Sequence, residues 1–373
     1  MALKSLLFLS LLAILSLSAI TANAYVAHGG NRGGGALLND LTSLPVTKRQ
    51  STELLADLKT LTSSQLTTGG RAIKDILQGN SQGADFAEST YTPPGSLGSD
   101  ACRASTCCVY KYMADEMRST FRNSDTGQCN NLARQAVRLA FHDSGTWSKT
   151  LGGGGADGSI ILAGEWTRGE NAGMSDIVAK LQTWYDKYRP HGGKMADMVQ
   201  VAATVATVAC PLGPRIRLFV GRNSSSTASP AGRLPDVNDS AQAILDLMSD
   251  KTFGTTDVVA LVGAHTVSRQ RFVDPARIGE GQDTTPGVWD VRFYTETARE
   301  SGAPEGVLRF ASDKKLAAAA GATWSSMADP AGNQFNWAIA YSRAFIRLSL
   351  LGVQHINNLK ECTNVLPLRD LTV

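Results

Sequence analysis

The chain has 373 residues, a formal net charge of +3, and 43% hydrophobic and 18% charged residues. So even a balance shows no basic face for a nucleic-acid partner, and the apolar fraction is that of an ordinary globular protein. The length admits one large domain or two smaller ones.

Residues 1–24 read as a secretory signal. Lys4 is the positive head, residues 6–20 are apolar except for Ser10, Ser16 and Ser18, and Ala22-Asn23-Ala24 is a small-x-small cleavage site before Tyr25. The apolar run is short for a spanning helix. The expected product is exported, extracellular and soluble, with no membrane association after cleavage. Residues 25–50 are rich in glycine, and Lys48-Arg49 reads equally well as a processing site or as two solvated charges. Residues 51–80 carry some helical periodicity through Leu54, Leu55, Leu58 and Leu61; residues 80–100 turn polar around Pro93-Pro94-Gly95. No cysteine precedes Cys102. Residues 25–100 are therefore expected to form an N-terminal extension or propeptide, partly helical and partly disordered, outside a main domain at 101–373.

From Cys102 onward the apolar residues recur near the 3.6 period, predicting helices at 109–121, 132–142, 174–188, 196–210, 241–248, 256–265 and 336–351. Strand-like alternation is scarce, so the fold class is all-α. Long loops at 147–160, 221–240 and 272–290 separate the helices, and ordered loops of that length are often functional. The six cysteines, Cys102, Cys107, Cys108, Cys129, Cys210 and Cys362, agree with export. Three bridges among them allow about 15 connectivities, and the spacing chooses none. No second pair gives zinc-ligand spacing. Asn223-Ser224-Ser225 and Asn238-Asp239-Ser240 are glycosylation acceptors in an exported chain.

Two histidines sit in chemically suggestive settings. Arg138 and His142 are four residues apart and share a helix face. A neutral imidazole can take a proton while a guanidinium one turn away stabilises developing negative charge. Peroxide heterolysis needs that pair: the base moves a proton from the near oxygen of HOOH to the far one, and the cation stabilises the departing oxygen. Asp143 follows, then Gly152-Gly153-Gly154-Gly155-Ala156-Asp157-Gly158-Ser159, where acid and hydroxyl oxygens alternate with carbonyls in a tight glycine turn, as hard cations require. A second cluster begins at Gly263-Ala264-His265-Thr266. It continues at Asp283-Thr284-Thr285-Pro286-Gly287-Val288-Trp289-Asp290, where two acids and a threonine suit a second calcium loop.

Together these motifs resemble the plant-type haem peroxidase superfamily, most of all its secreted fungal class. Arg-x-x-Phe-His-Asp, Gly-Ala-Asp-Gly-Ser, Gly-Ala-His-Thr and Asp-x-Thr-Pro-Gly-x-x-Asp occur in the family's order and approximate spacing, over roughly 102–373. The resemblance implies a helical fold with one haem b between distal and proximal halves, two calcium ions, and hydrogen peroxide and a small organic reductant as substrates. It makes His142 the distal base, Arg138 its electrostatic partner, Phe141 a neighbour of the haem, and Asn171 the acceptor for the distal imidazole. His265 becomes the axial iron ligand and Asp313 the carboxylate on its other nitrogen, in preference to a simple helix cap at Asp313. The distal calcium ligands are Asp143, Gly155, Asp157 and Ser159; the proximal ones are Thr266, Asp283, Thr285, Val288 and Asp290. The implied disulfides are Cys102–Cys108, Cys107–Cys362 and Cys129–Cys210, with the adjacency of Cys107 and Cys108 leaving a swap of the first two open. The fourth bridge usual near the C-terminus of the secreted fungal enzymes has no cysteines here. The expected protein is a monomer.

The chain departs from relatives in three places. Where manganese-oxidising relatives carry carboxylates, Asn131, Gln135 and Arg271 stand here, a set that cannot hold Mn²⁺. Where lignin-oxidising relatives carry a surface Trp, Ala260 stands, so that route for bulky aromatics is not expected. Gln282 replaces an aromatic residue expected beside the axial histidine. Two function classes follow: a peroxidase acting by one-electron steps on phenols and small aromatics, or a catalytically degenerate peroxidase fold serving as a secreted binding protein. His142, Arg138, His265, Asn171 and Asp313 being in place together favours the enzyme. Catalase-like or chlorinating enzymes use other proximal ligands, such as Tyr or Cys.

Overall fold

A computed structural model describes residues 50–328 and 333–372, all of which fall in one unit spanning 44–373. The longer helices are α1 (Thr68–Gln78), α2 (Cys108–Phe121), α3 (Asn131–Ser144), α4 (Ser175–Tyr188) and α5 (Met195–Ala209). They continue with α6 (Ala241–Asp250), α7 (Thr255–Val262), α8 (Arg292–Ala298), α9 (Ala311–Ala328) and α10 (Asn333–Leu348). Single turns occur at Asp100–Arg103 and Ser159–Leu162. The fold is helical, as its sequence periodicity implies. A two-stranded antiparallel ribbon, β1 (Phe219–Val220) and β2 (Lys360–Glu361), pairs Phe219 with Glu361.

Helix α5 is the axis of the packing. All fifteen of its residues are buried, including Asp197, Gln200, Thr204 and Thr207. A helix that is apolar all round belongs inside a core, and α5 packs most extensively against α3 and α2. Its one acid is satisfied: Asp197 accepts from Tyr110 Oη (2.8 Å), Gly221 N (2.8 Å) and the Arg222 guanidinium (3.0 Å). Three disulfides fasten the assembly: Cys102–Cys108, Cys107–Cys362 and Cys129–Cys210. The last ties the residue before the α3 cap to the end of α5.

Helix α3 starts on the Asn130 side chain, whose Oδ1 accepts from Leu132 N (3.0 Å) and Ala133 N (3.2 Å). It runs to Ser144 and so carries Arg138, His142 and Asp143. Helix α7 stops at Val262, short of the expected end at 265, and Gly263–Val267 continues as a 3₁₀ turn. The turn begins at a close approach: a Cβ at Gly263 would collide with Tyr294 Oη and Trp337 Nε1. Helices α8 and α9 lie outside the predicted set, whereas α1 falls within residues 51–80, where some helical character was expected; α9 breaks at Gly321, with φ 40° and ψ −105°.

The expectation that residues 25–100 lie outside the main fold is corrected for residues 50–100. Leu55, Leu58, Leu66, Ile73, Ile76 and Leu77 belong to the common hydrophobic core. Polar bonds fasten the segment: Ser51 N donates to Asp257 Oδ2 (2.7 Å), Arg347 donates to Ser51 O and Glu53 O (2.9 Å each), and Asp57 accepts from Ile356 N (3.1 Å). Leucines 54–61 serve a short 3₁₀ turn, Ala56–Lys59, rather than a helix. The partners of this segment are some 200 to 300 positions away in sequence, so no local pattern announces them. The signal segment, the remainder of the expected extension and Lys48-Arg49 lie outside the described residues. Among the described residues, no helix is long and apolar enough to cross a membrane.

Because Leu58 is fully buried, Leu58→Ala is expected to cost about 2–5 kcal/mol of stability, measured by urea unfolding. A change within experimental error would return this segment to the status of an appendage.

Candidate active site

The last two turns of α3 present the first half of the site. Arg138 Nε donates to His142 Nε2 at 3.1 Å, and His142 Nδ1 meets Asn171 Oδ1 at 2.7 Å. An amide oxygen only accepts, so it assigns the proton to Nδ1 and leaves Nε2 as the basic nitrogen. Asn171 is itself oriented, since its Nδ2 donates to Glu165 O at 2.8 Å. Arg138 is held by Ala172 O (2.7 Å) and Glu170 O (3.4 Å) on the same loop. Burial, then the Arg138 guanidinium, lower the His142 pKa from 6.5 to about 3, against the opposing pull of the Asn171 bond. The Phe141 ring stands edge-on to His142 at 5.9 Å.

The second half centres on His265 in the 3₁₀ turn after α7. Its Nδ1 lies 2.9 Å from Asp313 Oδ2, which leaves Nε2 to bond a metal. Asp313 sits in the first turn of α9 and is buried. Phe293 and Phe310 flank the imidazole edge-on at 5.6 and 5.9 Å; sequence reading did not single them out, although Phe310 is three residues before Asp313. Gln282 is buried, and its Oε1 has no hydrogen-bond partner among the described residues. These donor sets suit the two roles that a haem site requires, one nitrogen poised as base and the other as iron ligand.

Each expected cation loop gathers its oxygens. Asp143 accepts from Gly158 N (3.0 Å) and Ile160 N (3.3 Å), and Asp157 from Ser159 N (2.9 Å). Gly155 has φ 127°, and a Cβ there would collide with Leu351 O. Arg233, unforeseen from the sequence, holds the glycine run by donating to Thr146 O and Gly152 O. In the other loop Thr266 Oγ1 donates to Asp283 and approaches Val288 O and Asp290 Oδ1 (3.4 Å each), while Thr285 Oγ1 donates to Asp290 Oδ2 at 2.9 Å. Burial, then Asp157, push the Asp143 carboxyl well above its ordinary range. Burial, with Asp290 adding to it, pushes Asp283 up to about 7. Buried carboxylates crowded in pairs fit a cation. Among the described residues no three His, Cys, Asp or Glu side chains converge as a metal cluster. Each loop offers two carboxylates, the rest of its oxygens being hydroxyls and carbonyls.

The remaining positions fall into place individually. Gln135 is buried and bonded to Asp176 Oδ2 (2.9 Å) and Ile177 N (3.1 Å); Asn131 is half-buried and Arg271 is exposed. Ala260 is fully buried under Trp337, whose Nε1 donates to its carbonyl at 2.9 Å. Trp184, Trp289, Trp324 and Trp337 are core residues. Asn223 and Asn238 are exposed. A surface cleft of about 430 Å³ near Asp85 and Phe86 contains neither imidazole, and its Arg217 is paired with Glu361 at 2.7 Å.

The family model described as peroxidase matches residues 113–329. A peroxidase of Arthromyces ramosus is 32% identical over 305 residues, covering 74% of this chain and 81% of that one. A peroxidase of Coprinopsis cinerea is likewise 32% identical over 304 residues, with the same coverage. A low-redox potential peroxidase of Taiwanofungus camphoratus is 31% identical over 287 residues, 72% of this chain and 80% of that one.

The proton map is testable. With a pKa lowered to about 3, His142 binds fewer protons folded than unfolded between about pH 3 and pH 6.5. Its neutral form therefore contributes stability that is lost as pH falls through that window. In NMR titration the His142 ring should stay neutral down to about pH 3, and Arg138→Leu, which removes one lowering cause, should move the midpoint upward. A wild-type midpoint near 6.5, the ordinary value for a histidine, would contradict the assignment.

Proposed function

The chain belongs to the peroxidase family, in its fungal plant-type branch, and from that premise we propose how its two imidazoles divide the labour. The protein is an oxidoreductase that acts on hydrogen peroxide, and the family implies haem, calcium and an organic reductant. The finer reading is one haem b held by His265 and two calcium ions. The distal ion is held by Asp143, Gly155, Asp157 and Ser159, the proximal one by Thr266, Asp283, Thr285, Val288 and Asp290. Bound haem supplies the electron transfer: each peroxide is reduced to two waters while two phenols each give up one electron and one proton.

This chain's own groups handle protons and charge. A peroxide O–H takes the place of the Arg138 N–H at His142 Nε2, and that nitrogen accepts the proton. His142 then returns it to the far oxygen, which departs as water, while Arg138 stabilises the negative charge on that oxygen. Asn171 keeps Nδ1 protonated throughout, so only one ring nitrogen does the work. On the other side the Asp313 carboxylate orients His265 and gives its ring imidazolate character, strengthening it as a donor to iron. Thr266 directly follows His265, so a calcium ion held by Thr266 would restrain His265 through one peptide unit.

The observation that carries this reading is the contrast at the two Nδ1 atoms: a neutral amide oxygen on His142 at 2.7 Å and a carboxylate on His265 at 2.9 Å. The remainder of the reading is a secreted monomer, free of membranes and nucleic acid, glycosylated at Asn223 and Asn238. It has no manganese site at Asn131, Gln135 and Arg271, and no surface Trp route at Ala260. Phenols and small aromatics are its reductants.

His142→Ala should bind haem with a normal spectrum yet react with peroxide about 10²- to 10⁴-fold more slowly in stopped flow; wild-type rates would sink the base assignment. His265→Ala should alter the absorption and Raman signature of iron ligation. Chelating calcium should disturb both the haem spectrum and thermal stability, and an unchanged spectrum would refute the pinning through Thr266.

A further inference from the structure

The core behind His265 is a continuous run of aromatic rings. Phe293, edge-on to His265, lies 5.6 Å from both Tyr294 and Trp324. Tyr294 meets Trp337 at 5.9 Å, and Trp337 stacks on Trp289 at 5.3 Å with the two planes only 8° apart. Tyr341 stands edge-on to both indoles, at 4.8 and 6.0 Å. Edge-to-face contacts are ordinary core packing. A parallel pair of indoles offers something more, because an electron missing from one ring is shared by the other. The pair is fully buried, so no organic reductant touches it. It nevertheless abuts the proximal turn: a Cβ on Gly263, two residues before His265, would collide with Trp337 Nε1.

Protons and dipoles decide where an electron vacancy would rest among these rings. An oxidised phenol must shed its proton. Tyr294 Oη donates only to the carbonyls of Val259 (2.7 Å) and Ala260 (3.4 Å), which do not take one, and burial, with Tyr341 adding to it, raises its pKa well above the ordinary tyrosine value. An oxidised indole can instead keep its proton and remain a cation. Trp337 Nε1 donates to Ala260 O at 2.9 Å, and the buried Trp289 Nε1 has no hydrogen-bond partner among the described residues. A positive charge inside a core is costly, and it is favoured where the negative ends of dipoles meet it. Val259 and Ala260 lie in the last turn of α7, so their carbonyls belong to the negative end of that helix. The Ala260 carbonyl is the one that meets Trp337.

We infer that the stacked indoles of Trp289 and Trp337 are a redox-active pair that holds one oxidising equivalent when peroxide arrives ahead of a reductant. Reducing peroxide to water takes two electrons, and the pair supplies one of them to the haem site. No bond to the indoles forms or breaks, and both N–H protons stay in place. A phenol that arrives later gives up one electron, which refills the pair by way of the haem site, and releases its proton to solvent. The overall reaction is unchanged; what changes is where the equivalent waits. The inference rests on the peroxidase reading and goes beyond it by giving the core a part in the electron balance.

The test mixes haem- and calcium-loaded enzyme with equimolar hydrogen peroxide, without an organic reductant, and freezes it rapidly for electron paramagnetic resonance. An organic radical should appear whose line narrows when the tryptophan rings are deuterated and does not when the tyrosine rings are. This labelling leaves the sequence intact, so it is independent of any folding defect. Trp337→Phe and Trp289→Phe should each lose most of the signal and should bleach the haem after fewer additions of peroxide. Near-UV circular dichroism and the resting haem spectrum check that both variants are folded. Trp184→Phe, in the core beside Phe121, should keep the signal. A radical that responds to tyrosine labelling, or one that survives in both folded variants, would overturn the assignment. If peroxide left the wild-type haem spectrum unchanged, the peroxidase reading would fall and this inference with it. A spectral change with no tryptophan radical would sink the inference alone.

Discussion

What each imidazole can do is decided by the atom that meets its Nδ1. Asn171 offers a neutral oxygen, so His142 keeps a proton on that side and exposes an unprotonated Nε2 to Arg138. Asp313 offers a carboxylate, which makes His265 a stronger donor at its other nitrogen. Two identical side chains thus acquire opposite chemistry from one hydrogen bond each. The structure around each imidazole holds its bond in place.

On the distal side the holding chain is continuous. Asn171 donates to the backbone of Glu165, the Glu165 carboxylate accepts from Ser229 N at 2.9 Å, and Ser229 Oγ meets Ser159 Oγ at 3.0 Å. Ser159 belongs to the proposed distal cation loop, and Asp143 of that loop follows His142. His142 is consequently connected to the proposed cation loop twice, once through its own backbone and once through this side-chain path. On the proximal side Thr266 plays the corresponding part, adjacent to His265 and bonded to Asp283. In each loop the buried carboxylates repel one another, so a cation there relieves a cost that the fold itself creates.

The N-terminal segment extends the same logic outward. Ser51 and Glu53 accept from Arg347 and Arg343 on α10, and Ser51 N bonds Asp257, the acid in the first turn of α7. Helix α7 leads directly into the turn that carries His265. Residues 50–53 therefore brace the helix that leads to His265 through polar bonds, although only Gln50 among them is buried. Gly263 completes the arrangement by letting Tyr294 and Trp337 close against that turn.

Much of this was legible in the sequence, and the legible part is local. Arg138 and His142 share a face because the helix period puts them there, and the Gly152–Ser159 run announces a tight oxygen-lined turn by composition. Helices α2 to α7 and α10 follow from apolar periodicity. The motif order further identified Asn171 and Asp313 as partners, although neither lies near its histidine in sequence. Tertiary structure alone decided the rest: that residues 50–100 complete the core, that α7 yields to a 3₁₀ turn at Gly263, that Phe293 and Phe310 flank His265, and that Phe272 lies against Gly173. Each of these depends on atoms brought together from distant parts of the chain. Periodicity records which face of an element is apolar, but it does not name the surface which that face will meet.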